Sequence, residues 1–403
     1  MRGFLKKLPQ KEADAPVQFT ATQLTAHQQP VADGIYERFV EHRAPRTILA
    51  GGAGVGKTTV AGAVARKVFD RHPDARIAYV APTAQAASVL KRSLAARGVR
   101  PGFCGTIHSL IYKPDIDGDT ILGWTARTDV AESFDYIVAD EASMISEALA
   151  GDLEAFGLPV LYMGDNFQLA PIDGDGIMGE SDFVLTEIMR QAKENPVIEL
   201  AHMVRTQQNW RKWLRNQDKI KVVSSLASGK FVADALQTSG EDPLLIVRTN
   251  AERVEWNNVC RNVLGIESPT PAPGDKIVVL KNAYRGPRNI VLANGWRGTV
   301  SAVRQSSRDD LIGMDVGFQG EGVSYMQGEY ALQQFGQPST LGGFKGVILA
   351  DFAYAMTCHK LQGSQAGHVI VKPSRGGYDT DEDVARWMNT AVTRTTDRLT
   401  III

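Results

Sequence analysis

Cysteine is almost missing from this 403-residue sequence: Cys104, Cys260 and Cys358 are odd in number, far apart and without a C-x-x-C pair. That pattern excludes a disulfide framework or a cysteine-based zinc site as the organising device. Free, buried thiols in a reducing compartment are the expectation. An excess of either charge is also lacking, since 44 Lys and Arg stand against 45 Asp and Glu for a formal net charge of -1. Binding to a polyanion would therefore need a local basic track. No apolar run approaches the length that spans a bilayer. Residues 1–22 mix Lys6, Lys7, Lys11, Glu12 and Asp14 with two prolines and hold no apolar core of signal-peptide length. We expect a loose N-terminal arm there, and a soluble, cytoplasmic protein with no membrane partner. No internal repeat or low-complexity tract is visible.

What is present begins with an ordinary globular composition, 43% hydrophobic and 22% charged, in a chain long enough for two or three domains. The most informative stretch is Ala50 to Val60. It fits G-x-x-x-x-G-K-[ST], with Gly51, Gly56, Lys57 and Thr58 in the required places. Glycines let consecutive N–H groups turn inward around phosphate oxygens, and the following helix adds its positive end. Gly51, Gly52, Ala53, Gly54, Val55, Gly56, Lys57, Thr58 and Thr59 are thus the candidate nucleotide cradle. Lys57 would reach the β and γ phosphates and Thr58 would ligate Mg²⁺. A short apolar strand, 46–50, precedes the loop, and Val60, Val64, Val68 and Phe69 follow at helical spacing.

Other candidates fall at the ends of later apolar runs. Residues 76–81 read as a strand followed by Pro82, Thr83 and a helix over 84–97, and ligands bind at such strand ends. Gly105-Thr-Ile-His108-Ser109 offers hydroxyls and an imidazole suited to phosphate or sugar. Residues 112–134 suggest a small hairpin, with Trp124 able to stack on a base, split a duplex or serve as a buried anchor. The run 134–139 ends in Asp140 and Glu141. Adjacent strand residues point to opposite sides, so Asp140 would hold the Mg²⁺ shell and Glu141 the attacking water. Residues 158–164 form another strand, placing Gln168 to sense a γ-phosphate and Asp165 to bond a neighbour. Arg190 could stabilise a transferring phosphoryl group. Gln28, about twenty residues before the loop, could read an adenine edge through its amide, although spacing alone favours a surface glutamine.

In order and in kind, these motifs resemble superfamily 1 DNA helicases of the 1B group, the RecD and bacteriophage Dda branch, from Leu24 to the C-terminus. The resemblance places the adenine-reading glutamine on Gln28 and the first arginine finger on Arg190. It assigns DNA-strand contacts to Pro82, Thr83, His108 and Ser109. In the second half it matches Thr249 and Asn250 to a DNA-backbone motif. Thr357, His359, Lys360 and Gly363 fall in the motif that grips the strand and links it to ATP. Arg394 takes the place of the second arginine finger, while Arg398 reads as a surface residue.

The implied fold is α/β, two RecA-like P-loop NTPase domains with a small β-hairpin insertion in the first and an SH3-like β-barrel insertion in the second. Expected boundaries are 23–111 with 135–195 for the ATP-binding domain and 112–134 for its hairpin. The second domain would take 196–273 with 344–403, and the barrel 274–343, where Lys281, Arg285, Arg288 and Arg297 are the few basic residues. The basic stretch 205–221 carries Trp210, Trp213 and Leu214 at the spacing of an apolar helix stripe, so its charges read as that helix's wet face. The resemblance implies an ATP- and Mg²⁺-dependent DNA helicase and DNA-stimulated ATPase. It would move 5′ to 3′ on single-stranded and forked duplex DNA, with Trp124 in the pin. A monomer, replication or recombination proteins as candidate partners, and a bacteriophage source belong to the same analogy. An ATP-switched nucleic-acid-binding regulator would share the nucleotide site without unwinding. A nucleoside kinase would leave a second core domain ending in Thr393-Arg394 unexplained.

Overall fold

The apolar runs 46–51, 77–81, 136–139 and 160–164 become neighbouring strands of one parallel sheet. The computed structural model describes residues 24–96, 99, 101–117, 120–171, 174–189, 194–206, 208–238, 242–284, 290–318, 326–341, 346–377 and 379–403. The arm expected over 1–22, Arg190, Arg285 and Arg288 lie outside the described residues. The chain divides into two compact units, the first ending at Glu194 and the second running from Asn195 to Ile403.

The first unit holds β1 (Arg46–Gly51), β2 (Ile77–Ala81), β3 (Phe103–Thr106), β4 (Tyr112–Asp117), β5 (Thr120–Ala126), β6 (Tyr136–Ala139), β7 (Val160–Gly164) and β8 (Phe183–Leu185). Six of them form a sheet in the order β3-β2-β6-β7-β1-β8, all neighbours parallel. β4 and β5 make a separate two-stranded ribbon. Near-continuous apolar strands are what a sheet covered on both faces requires. Alternation along each strand divides the side chains between two cores. Leu49, Tyr79, Val138 and Leu161 pack on one face, with the helix Lys57–Arg71. Ile48, Ala78, Ile137 and Val160 pack on the other. Each large apolar side chain buried this way contributes roughly 1.5–3 kcal/mol.

The second unit has β9 (Ile220–Val223), β10 (Leu244–Val247), β11 (Lys276–Val279), β12 (Ala283–Tyr284), β13 (Ile290–Leu292), β14 (Arg297–Gln305), β15 (Leu311–Phe318), β16 (Met326–Ala331), β17 (Ala350–Phe352), β18 (Ala355–Thr357), β19 (Ala366–Val371) and β20 (Thr395–Ile402). A parallel sheet runs β18-β10-β19-β20-β9. An antiparallel sheet runs β16-β15-β14-β11-β17, around a core of Ile277, Val300, Met314, Val316 and Tyr330. Its last strand, β17, lies beyond residue 343, so the antiparallel sheet draws on chain assigned from the sequence to the parallel domain.

The helix Asn250–Val263 fastens the two sheets. Asn257 is buried and spends its whole amide: Nδ2 donates to the carbonyls of Phe352 and Ala355 at 3.2 Å, and Oδ1 accepts from the N–H groups of Tyr354 and Ala355 at 2.9 Å. One turn on, Arg261 makes a two-pronged pair with the buried Asp275 at 2.9 and 3.1 Å, and Tyr354 donates to the same carboxylate at 3.1 Å.

The stretch 205–221 departs from the expected helix. The helix Pro196–Arg205 ends there, a four-residue turn covers Trp210–Trp213, and β9 begins at Ile220. Asn209 caps that turn by accepting from the N–H of Lys212, a local bond that competes with a continued helix. Among the described residues no helix is long and apolar enough to cross a membrane. Cys260 and Cys358 are buried, and burial pushes both thiols up to about 12.

Asn257→Ala strands two carbonyls and two N–H groups in the interior, each costing about 1–3 kcal/mol when unpaired. The expected result is a fall in stability of at least about 3 kcal/mol, measured as a lower denaturant midpoint; a shift under about 1 kcal/mol would contradict the fastening role.

Candidate functional site

Strand register determines where the phosphate loop sits. Ala50 at the end of β1 lies opposite Gly164 at the end of β7, and Tyr162 of β7 lies opposite Ala139 at the end of β6. The loop, Asp165 and Asp140 therefore leave the sheet at neighbouring positions on its carboxyl rim. Within the loop, Gly54 and Gly56 take φ of 76° and 90°, where a side chain is strained. A Cβ on Gly56 would also run into the Gln28 amide, and one on Gly51 would come within 2.7 Å of Val55. The helix opens at Lys57 without a side-chain cap, and the Thr59 and Val60 N–H groups both donate to the Gly56 carbonyl at 3.0 Å.

Lys57 folds back across this loop, its Nζ donating to the carbonyls of Gly51 at 2.7 Å and Gly52 at 3.1 Å. Gln28 is not a surface glutamine. It is buried, donates to the Val55 carbonyl at 3.1 Å and to the Met189 sulfur, and accepts from the Thr25 N–H at 3.2 Å. The Met189 N–H in turn holds the Gly54 carbonyl at 3.0 Å. In this conformation the Gln28 amide braces the loop, so contact with a base would need it to exchange these partners.

Asp140 is the most perturbed acid of the rim. Burial, and then the neighbouring Glu141 charge, push its carboxyl up to about 6; the Glu141 N–H, 2.9 Å away, and the Lys57 charge pull it down. The expectation that Asp140 and Glu141 alternate along a strand is corrected here. β6 stops at Ala139, and Glu141 takes a left-handed conformation, φ 54° and ψ 42°, at the head of a short 3₁₀ turn. The two acids are separated by a backbone turn, which is the kind of strain found at functional positions. Asp165 is buried and accepts from the Phe167 N–H at 3.0 Å, forming the turn that leads to the buried Gln168.

These oxygens suit a hard cation bound together with a nucleotide. Thr58 stands on the first turn of the loop helix, and Asp140 is a carboxylate whose charge is poorly compensated by protein. Among the described residues no cluster of three or more His, Cys, Asp or Glu is placed to hold a metal. Mg²⁺ would take its remaining ligands from phosphate and water, as it commonly does.

The remaining first-unit candidates are partly committed to local structure. Thr83 caps the helix Ala84–Ala96 by accepting from the Ala86 N–H at 3.1 Å, and Pro82 is half-buried beside it. Thr106 caps the helix Ile107–Ile111, and the exposed Ser109 donates back to the Thr106 carbonyl at 2.8 Å. His108 packs on Tyr112, ring centroids 5.7 Å apart, and burial lowers its pKa. Trp124 on β5 is 51% exposed, which removes the buried-anchor reading.

In the second unit β10 and β18 end side by side, Val247 opposite Thr357. Thr249 and Asn250 are exposed just past that end. Thr249 forms a capping box with Glu252, while Thr357 itself is buried. His359 and Lys360 are half-buried, and burial lowers the pKa of each. Gly363 holds φ of 75°. Arg394 is buried, its Nε donating to the Thr390 carbonyl at 3.1 Å, and its charge reaches Cys358. Sequence reading missed Arg248. It is anchored to Asp379 at 2.6 Å and lies over the Trp387 ring, keeps one buried nitrogen, Nη1, without a hydrogen-bond partner, and acts on His359. Its position directly before Thr249 was the available signal.

Comparison with known proteins finds two family models. One, described as an AAA domain, matches residues 23–225, and one described as a UvrD-like helicase C-terminal domain matches 352–402. No curated protein matches the chain in sequence. A Bacteroides Pif1 helicase, solved in complex with ADP-AlF3 and single-stranded DNA, is similar in fold. It has 16% identity and a TM-score of 0.52 over 94% of this chain and 92% of that one. A Candida albicans Pif1 helicase gives 16% identity and a TM-score of 0.49 over 95% and 94%.

Two measurements follow from the geometry. A carboxyl raised from 3.8 to about 6 favours the fold most below pH 3.8, and that benefit is lost as pH rises to about 6. Asp140→Asn should therefore raise the unfolding free energy of the ligand-free protein at pH 8 by on the order of 2 kcal/mol, read by denaturant titration, and the gain should vanish near pH 4. An equal effect at both pH values would contradict the buried charge. Gly56→Ala should weaken nucleotide binding at least about tenfold, read by titration with a fluorescent ADP analogue, because φ of 90° and the Gln28 amide both oppose a Cβ.

Proposed function

We propose that this chain, which belongs to the AAA-domain family and is a superfamily 1B helicase, an ATP-hydrolysing enzyme, is a motor that moves 5′ to 3′ along single-stranded DNA. The observation that carries the nucleotide half is the grouping of Lys57, Asp140, Asp165 and the glycine loop on one sheet rim, with the Lys57 charge acting on Asp140. The DNA half is supported by hydroxyls and imidazoles gathered at strand ends in each unit. It is also supported by the single-stranded DNA held by the similar Bacteroides helicase.

In this reading the loop 51–59 binds the phosphates of ATP, Lys57 and Gln168 meet the γ-phosphate, and Gln28 turns to the base. Thr58 and Asp140 would hold Mg²⁺, which would supply charge neutralisation on the nucleotide phosphates. Glu141 orients the attacking water. Arg190 and Arg394 are assigned the arginine-finger role of sharing the charge that develops on the transferring group. Gly363 couples the strand-gripping segment to the nucleotide. Pro82, Thr83, His108 and Ser109 hold the strand from the first unit, and Thr249, Asn250, Thr357, His359 and Lys360 from the second. Trp124, exposed on its ribbon, is assigned to separating the duplex at a fork. Backbone contacts carry no base information, so the motor runs on any sequence. The 276–352 antiparallel sheet is assigned the role of an SH3-like strand guide. We assign the enzyme to the cytoplasm as a monomer, working with replication or recombination proteins.

Lys57→Ala should lower ATP turnover at least about 100-fold, the scale on which charge-stabilising donors act. Full activity would show that the loop is misassigned. Arg394→Ala should depress hydrolysis by about 10³-fold while leaving single-stranded DNA affinity within about threefold, because arginine fingers act on the transition state. The opposite split would place this arginine on the strand. With about five phosphate contacts at roughly 0.7 each, log affinity should fall against log salt with a slope near -3.5, and a flat response would count against the grip.

A further inference from the structure

Thr249 and Asn250, assigned above to the same DNA strand, differ in what they have left to give. The Thr249 hydroxyl accepts from the Glu252 N–H at 3.1 Å and donates to the Glu252 carboxylate at 3.2 Å, so its one proton is engaged within the capping box. Asn250 is exposed and is the first residue of the helix Asn250–Val263. Its Oδ1 accepts from the Nε of Arg253 at 3.4 Å, one turn along the same helix face. Among the described residues nothing accepts a hydrogen bond from its Nδ2.

Arg253 is held so that this bond has one geometry. It is buried, and its Nη1 donates to Asp351 and its Nη2 to the Gln337 carbonyl, both at 2.5 Å. Asp351 is buried as well, and its other oxygen accepts from the Gly336 and Phe352 N–H groups at 2.8 Å. With both terminal nitrogens tied to chain 98 and 84 residues away, the planar guanidinium cannot turn, and its Nε–H keeps a single direction. A guanidinium has donors only, so the amide atom that can face it is Oδ1. The Asn250 amide is therefore fixed with Nδ2 on the side away from Arg253. The same charge acts on Lys360, where burial and then Arg253 lower the pKa, so Arg253 influences two of the candidate strand contacts.

We propose that Arg253 is a positioning residue of the strand grip: it fixes Asn250 as a donor-only contact whose Nδ2 meets the phosphate oxygens of single-stranded DNA. A phosphodiester offers acceptors alone, so an amide presenting N–H matches it and one presenting its carbonyl is repelled. An unrestrained asparagine would spend part of its time in the wrong orientation, and the buried Arg253 removes that cost before the strand arrives. The inference rests on the assignment of Asn250 to the strand made above.

The test is binding of a fluorescent dT oligonucleotide to the full chain, read by anisotropy across a salt series. Asn250→Ala should weaken binding about tenfold, the scale of one hydrogen bond to a charged group. Arg253→Lys keeps a charge beside Asp351 but puts a methylene where Nε stood; it should weaken binding at least about threefold in the native background and by less than about 1.5-fold beside Asn250→Ala. Neither change removes a cation from the strand, so the salt slope should stay as it is. Asn250→Asp leaves the buried pair in place and puts an acid at a helix start, where it favours the fold. That variant should bind more weakly than Asn250→Ala, because it offers acceptors alone. Equal losses from Arg253→Lys in both backgrounds, or a shallower slope, would reduce Arg253 to a structural residue and overturn the proposal. Asn250→Asp binding as tightly as the unaltered chain would overturn the donor direction. DNA binding that survives Asn250→Ala at full strength would overturn this proposal alone, whereas an unaltered chain that fails to bind the oligonucleotide would overturn the motor reading beneath it.

Discussion

Parallel pairing of β1 with β7 and of β7 with β6 is the constraint on which the nucleotide chemistry rests. Because Ala50 pairs with Gly164 and Ala139 with Tyr162, the phosphate loop, Asp140 and Asp165 emerge on one rim. A one-residue slip would turn Leu49 and Leu161 from one core to the other and move those groups out of line. The burial that secures the core is therefore also what places the charges.

That placement stores electrostatic cost. A carboxyl held up near 6 by burial and by Glu141, and a glutamate in a left-handed turn, are costs carried by the ligand-free fold, while Lys57 is satisfied by its own loop carbonyls. A bound cation would bring the counter-charge that the Asp140 carboxylate lacks within the protein. The second unit shows the contrasting strategy: Arg261 with Asp275 and the four-bond Asn257 are satisfied within the protein, as befits groups that fasten sheets. Arg248, with one buried nitrogen left over, stands between these cases.

Local signals made much of this legible. The glycine loop could be read because Gly54 and Gly56 occupy backbone regions that other residues avoid, and the strands because sheets covered on both faces need continuous apolar runs. What escaped depends on contacts distant in sequence. Gln28 is buried because it meets Val55 and Met189, 27 and 161 residues away. The Glu141 turn cannot be inferred from a strand pattern that ends two residues earlier than expected, and the reach of the antiparallel sheet to β17 depends on pairing between Ile277 and Phe352. The supposed helix of 205–221 failed because a two-tryptophan spacing fits a single capped turn as well as a longer helix. Local bonding was also out of sight: Thr83, Ser109 and Thr249, read as strand contacts, each make a hydrogen bond beside a helix start as well.

The central claim is that ATP hydrolysis drives directed movement on DNA. Unwinding of forked duplexes with either a 5′ or a 3′ single-stranded loading tail, in the presence of Mg-ATP, tests it most directly. The account predicts ATP-dependent strand separation from the 5′-tailed substrate and little from the 3′-tailed one. Hydrolysis without unwinding of either substrate, or unwinding only from a 3′ tail, would contradict it.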